Sequence, residues 1–179
     1  DSLLCATVGI SLLSFWRKLA NDKNLICITP WFFLGLAILT KGPVAVVIIC
    51  LTMFCFLVIR KDWQSLIKKI NPVRGILITL LVSMPWYLVL LYREGSAFWK
   101  SFFGYHNLQR YTSVVNNHAE PWWFFLGILI LGSLPFSVFL ISGIFETGKE
   151  LVRNFKRDIE IENSLGVFVF CWLMTILFF

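Results

Sequence analysis

Two basic residues stand where they could hold an anion. Lys41 lies in "LTKGP" (39–43), between two apolar runs, where Gly42 and Pro43 make a tight turn. A lysine beside the start of the next helix adds its charge to free N–H groups and a favourable dipole, a combination suited to phosphate. The alternative is a lysine that snorkels from a helix end to the lipid headgroups. Arg110 lies in "HNLQRYT" (106–112). Its guanidinium is either a planar fork for phosphate oxygens or a contact with solvent or headgroups.

Other polar residues extend the set. Asp1 opens an apolar run and is either the acid of a site or a cap on the first helix. His106, His118 and Glu120, with Asp1 or Glu94, offer possible divalent-metal ligands, although their spacing matches no strong metal pattern. In "HAEPWW", Pro121 opens a helix that Trp122 and Trp123 anchor at an interface. Trp86 and Tyr87, after Pro85 in "SMPWYLVLLY", either line a lipid groove or pack at a kinked helix.

The elements that must position these residues are membrane helices. Of 179 residues 58% are hydrophobic and 15% charged, against about 25% charged in ordinary soluble domains. The apolar runs fall at roughly 2–16, 25–40, 43–59, 75–92, 121–145 and 164–179, predicting about six spans of an all-α bundle. The second and third are short. The five cysteines all sit in apolar runs, with neither disulfide nor metal spacing. The net charge of +6 is spread over separate connections rather than gathered in a stripe, which argues against nucleic acid.

Twelve of the sixteen Lys and Arg residues fall in the connections 17–24, 60–74 and 146–163; the other four are Lys41, Arg93, Lys100 and Arg110. The positive-inside rule puts the first three connections in the cytoplasm. Asp1, Lys41 and the segment 93–120 are then expected to share the outer face. Within that segment Phe98, Trp99, Phe102, Phe103 and Tyr105 pattern as an amphipathic interfacial helix. The chain starts at Asp rather than Met and its last apolar run stops at Phe178 and Phe179, so it reads as part of a larger protein.

The order of these motifs resembles the polyprenyl-phosphate-sugar-dependent glycosyltransferases of the type C fold, the superfamily of protein O-mannosyltransferases and the lipid A aminoarabinose transferase. The resemblance rests on Asp1 opening a span, "LTKGP", "MPWY" (84–87), "FWKSFFGYHNLQRYT" (98–112) and "HAEPWWFF" (118–125). It implies that residues 1–179 are a partial transmembrane domain, without the N-terminal catalytic loop and C-terminal spans of the family. It implies a multi-pass protein of the bacterial inner membrane that moves a sugar from a polyprenyl phosphate to a lipid, glycan or protein at the outer face. Lys41 and Arg110 would lie near the carrier phosphate, Asp1 would be an acid of the core, and His118 would match a motif ending the outer loop. A transporter or flippase for a lipid-linked anion and a non-catalytic scaffold are the rival readings. A transporter usually places its polar groups near the bilayer midplane, whereas these cations are expected at the boundary.

Overall fold

The computed structural model describes residues 2–20, 28–60, 63–95, 122–154 and 165–178, and those residues contain helices and no strand. The helices are α1 (Ser2–Ala20), α2 (Thr29–Lys41), α3 (Val44–Arg60), α4 (Trp63–Ile70), α5 (Pro72–Glu94), α6 (Trp122–Gly132), α7 (Ser137–Asn154) and α8 (Leu165–Phe178). Two stretches, Ser2–Ala20 and Ile67–Glu94, are long and apolar enough to cross a membrane, while Val44–Arg60 and Leu165–Phe178 are shorter apolar helices. At 1.5 Å per residue the first is roughly 28 Å long, close to the thickness of a hydrocarbon core.

α2 is the hub, packing on α1, α3 and α5. It runs antiparallel to α1. The buried Ser11 hydroxyl donates to the Pro30 carbonyl at 2.8 Å, and the Phe15 and Trp31 rings meet edge to face at 5.1 Å. Each such aromatic pair contributes about 0.5–1.5 kcal/mol beyond its buried area. α5 runs parallel to α2. Trp31, in the first turn of α2, ties it to both α4 and α5: its indole N–H donates to the Ile70 carbonyl at the end of α4 at 3.3 Å, and its own carbonyl accepts from the Thr79 hydroxyl of α5 at 3.0 Å.

α5 buries Gly75, Thr79 and Ser83, one small residue per turn, against this hub. The indole of Trp31 occupies the space that a side chain on residue 75 would need, and a Cβ on Gly35 would sit 2.8 Å from that of Val82. Small residues at four-residue spacing let backbones approach closely, as in helix pairs in membranes. The opposite face of α5 is apolar and exposed: Val73 is 71% and Leu81 76% accessible. An apolar helix with an outward apolar face this long belongs in lipid rather than water.

α8 closes the other side, with Phe168 edge to face on Phe56 of α3 at 5.1 Å and Trp172 on Gly9 of α1. Val167 and Phe168 are fully buried there with Leu12, Leu19, Ala45 and Phe56.

Two features depart from the sequence reading. The apolar run 121–145, expected as one span, is broken by turns at 133–136 into α6 and α7, with a cis Leu134–Pro135 bond. The connection 60–74 contains a helix, α4, that joins α1, α3 and α5. The interfacial helix expected near 98–105 lies outside the described residues.

Candidate functional site

Lys41 ends α2. Gly42 then takes φ 71° and ψ −141°, a backbone conformation that side chains other than glycine rarely adopt, and its N–H donates to the Ile38 carbonyl at 2.7 Å. Pro43 follows, and the Val47 N–H donates to the Pro43 carbonyl at 3.1 Å, so α3 starts at Val44, three positions after the lysine. The sequence folds this way because glycine can make the reversal and proline needs no hydrogen-bond partner at a helix start.

α5 braces this turn. The Tyr87 hydroxyl donates to the same Ile38 carbonyl at 3.0 Å. From the sequence, Trp86 and Tyr87 together are expected either to line a lipid groove, as substrate-site contacts, or to pack at a kink. Their roles in the fold differ: Tyr87 reaches α2, whereas Trp86 is more than half exposed on the surface of α5.

A cavity of about 460 Å³ opens beside Lys41, lined by Leu3, Leu4 and Thr7 of α1 and by Leu36, Leu39, Thr40 and Lys41 of α2. It is an apolar cleft with a cation in its wall. The Thr7 hydroxyl donates within α1 to the Leu3 carbonyl at 2.8 Å, and the Thr40 hydroxyl within α2 to the Ala37 carbonyl at 2.7 Å. The first turns of α1 and the last turn of α2 therefore share one end of the bundle, with the start of α3 and the last turns of α5. The sequence pointed to Lys41 but not to its leucine wall, which only the antiparallel packing of α1 on α2 creates.

Asp1, Arg110 and His118 lie outside the described residues, as do His106 and Glu120. Of the possible metal ligands Glu94 is described, exposed at the end of α5. Among the described residues no three His, Cys, Asp or Glu come together as a metal site.

Similar sequences bear on this cleft. An undecaprenyl phosphate-alpha-4-amino-4-deoxy-L-arabinose arabinosyl transferase of Pseudomonas aeruginosa is 29% identical over 96% of this chain and 30% of its own length. Another, from Pseudomonas fluorescens, is 30% identical over 96% of this chain and 30% of its own. A third, from Erwinia tasmaniensis, is 25% identical over the full chain and 31% of its own length. The chain is homologous to part of this transferase family. It spans about 30% of the length of these relatives. No family model matches it, and no solved structure matches it. The match to the transferases covers the Lys41 turn and the helices that brace it, since it extends over almost the whole chain.

Proposed function

We propose that this chain forms the carrier-binding part of an integral membrane glycosyltransferase, which transfers a sugar from a polyprenyl phosphate donor to an acceptor on the outer face of a bacterial inner membrane. The observation that carries this reading is Lys41, held at a braced turn in the wall of a leucine-lined cleft. A prenyl-linked phosphate has the same two-part chemistry, an apolar tail and an anionic head. The homology to arabinosyl transferases named for an undecaprenyl phosphate-linked 4-amino-4-deoxy-L-arabinose supports the same ligand and points to that sugar, while the resemblance to the lipid A aminoarabinose transferase suggests lipid A as acceptor. The concentration of Lys and Arg in the connections 17–24, 60–74 and 146–163 supports an outer-boundary position for the cleft.

In the proposed reaction a carboxylate takes the proton of the acceptor nucleophile, which attacks the anomeric carbon. The bond from that carbon to the phosphate oxygen breaks, and the polyprenyl phosphate leaves with the electron pair. Asp1 is the acid assigned to this core, together with an acid upstream of the chain. Lys41 and Arg110 neutralise the leaving phosphate, and His118 is a further substrate-site contact. At about 4 Å and an effective dielectric near 20, one unit-charge contact is worth on the order of 4 kcal/mol before desolvation. Only the part that grows as charge gathers on the leaving oxygen lowers the barrier.

The test is Lys41→Ala in the full-length protein. Transfer is expected to fall by about 10²-fold, the usual cost of one electrostatic partner, with membrane insertion unchanged. Full transfer by that variant rejects the assignment. A flippase would instead move the intact lipid across vesicles without releasing the sugar.

A further inference from the structure

The end of the bundle opposite Lys41 carries a second arrangement of charge and apolar surface. Arg17 and Lys18 lie in the last turn of α1, Arg60 ends α3, Lys68 and Lys69 lie in the last turn of α4, and Arg74 lies in the first turn of α5. The stretches 12–20, 56–60 and 63–75 contain no Asp or Glu, whereas exposed Glu146 of α7 lies toward the same end beside α8, through the contact of Thr147 with Gly166. Lys68 and Arg74 are both exposed and flank the α4–α5 junction. Below them the outward face of α5 presents Val73, Leu77, Leu81 and Leu88, all exposed, at the spacing of one helix stripe. Exposed Ile67 on α4 continues it past the junction.

Cations above a long uncovered apolar stripe match an amphiphile with a negative head and a hydrocarbon tail. We propose that the α4–α5 junction binds an anionic phospholipid, with Lys68 and Arg74 on the headgroup phosphate and the Val73–Leu88 stripe along an acyl chain. The charge selects the lipid, because a zwitterionic headgroup presents its own cation to the same residues. α4 fits this place: Trp63, Leu66, Ile67 and Ile70 recur at helical spacing beside its two lysines, the pattern of a helix lying in a membrane interface. The site is distinct from the Lys41 cleft, which lies at the other end of α2 and α5.

This inference rests on the reading that the bundle spans a membrane, and the two fail separately. The full-length protein is reconstituted in phosphatidylcholine vesicles containing spin-labelled phosphatidylglycerol or spin-labelled phosphatidylcholine. Resistance to alkaline extraction reports on spanning; the immobilised fraction of each tracer reports on the site. The expected result is preferential immobilisation of phosphatidylglycerol, about threefold or more at low salt, as two surface cations can supply. K68Q/R74Q brings the ratio close to one, and K68R/R74K keeps it. Equal immobilisation of the two tracers by the native protein overturns the proposal, as does a preference that K68Q/R74Q leaves intact. The second outcome would assign the selectivity to cations elsewhere in the protein. Should K68Q/R74Q fail to insert, salt titration of the native protein decides: the preference must fall as the charges are screened, and a salt-independent preference also overturns it.

Discussion

The Tyr87 hydroxyl and the Gly42 amide converge on one oxygen, the carbonyl of Ile38, at 3.0 and 2.7 Å. Tyr87 lies 49 positions from Ile38 in the chain. Through that contact the parallel pair α2 and α5 fixes the last turn of α2, and with it the backbone of Lys41. The Gly42 N–H closes the last helical bond to this carbonyl, and the tyrosine adds a second donor from the neighbouring helix to the oxygen's other lone pair.

Tyr87→Phe removes this hydroxyl and keeps the ring. A single hydrogen bond of this kind contributes about 1 kcal/mol to stability, so the melting temperature in detergent should drop slightly. If Tyr87 positions Lys41, the variant should also raise the KM for the polyprenyl donor several-fold while leaving that for the acceptor unchanged. Loss of stability with no change in donor KM would reduce Tyr87 to a packing residue.

Gly42→Ala tests the turn itself. Its φ of 71° with ψ of −141° is strained for any residue with a Cβ, at a cost of about 1–3 kcal/mol. The strain can be relieved by rotating the Lys41 backbone. Transfer is therefore expected to suffer more than thermal stability, whereas Gly95→Ala, also at positive φ but far along the chain at the end of α5, should affect stability alone. Equal loss of transfer in both variants would contradict a special role for the Lys41 turn.

Gly75→Ala probes the contact between α2 and α5. The methyl would enter the space of the Trp31 indole, whose displacement would also strain its N–H bond to the Ile70 carbonyl. Overpacking of this kind costs about 1–3 kcal/mol. Gly127→Ala and Gly143→Ala, which meet nothing within 4 Å among the described residues, serve as controls and should be close to neutral. Thermal unfolding of the purified protein in detergent distinguishes them; a neutral Gly75→Ala would mean that α5 does not dock through Trp31.

Phe168→Ala should be the most destabilising of these changes. Phe168 and its partner Phe56 are both fully buried, and truncating a buried phenylalanine costs about 3–5 kcal/mol. Phe178→Ala, at the exposed end of the same helix, should leave unfolding unchanged. Comparable melting curves for the two variants would place α8 outside the core.

Much of this arrangement is legible in the sequence because lipid-facing helices must be apolar along their length. The runs near 2–16, 43–59 and 75–92 correspond to α1, α3 and α5, and Gly42-Pro43 marks the turn between α2 and α3. α4 is harder to see. Its four apolar residues recur at helical spacing, but eight residues with two lysines resemble a charged loop. The break at 133–136 is concealed for the opposite reason: Leu134 and Phe136 keep the run apolar, so that only Ser133 and Pro135 signal a turn. The Trp31–Gly75 contact and the leucine wall of the cleft depend on which helices become neighbours, and apolar periodicity says nothing about partners. Lys41 could be singled out from its turn, but its carrier could be proposed only from a resemblance.

The most direct test is equilibrium binding of undecaprenyl phosphate to the full-length protein in nanodiscs, comparing the native sequence with Lys41→Ala and Lys41→Arg. The expected result is at least about tenfold weaker binding by the alanine variant, a loss of roughly 1.4 kcal/mol, with most affinity retained by arginine because it keeps the charge. Equal affinity in the native and alanine proteins would contradict the assignment of the cleft to a phosphate carrier.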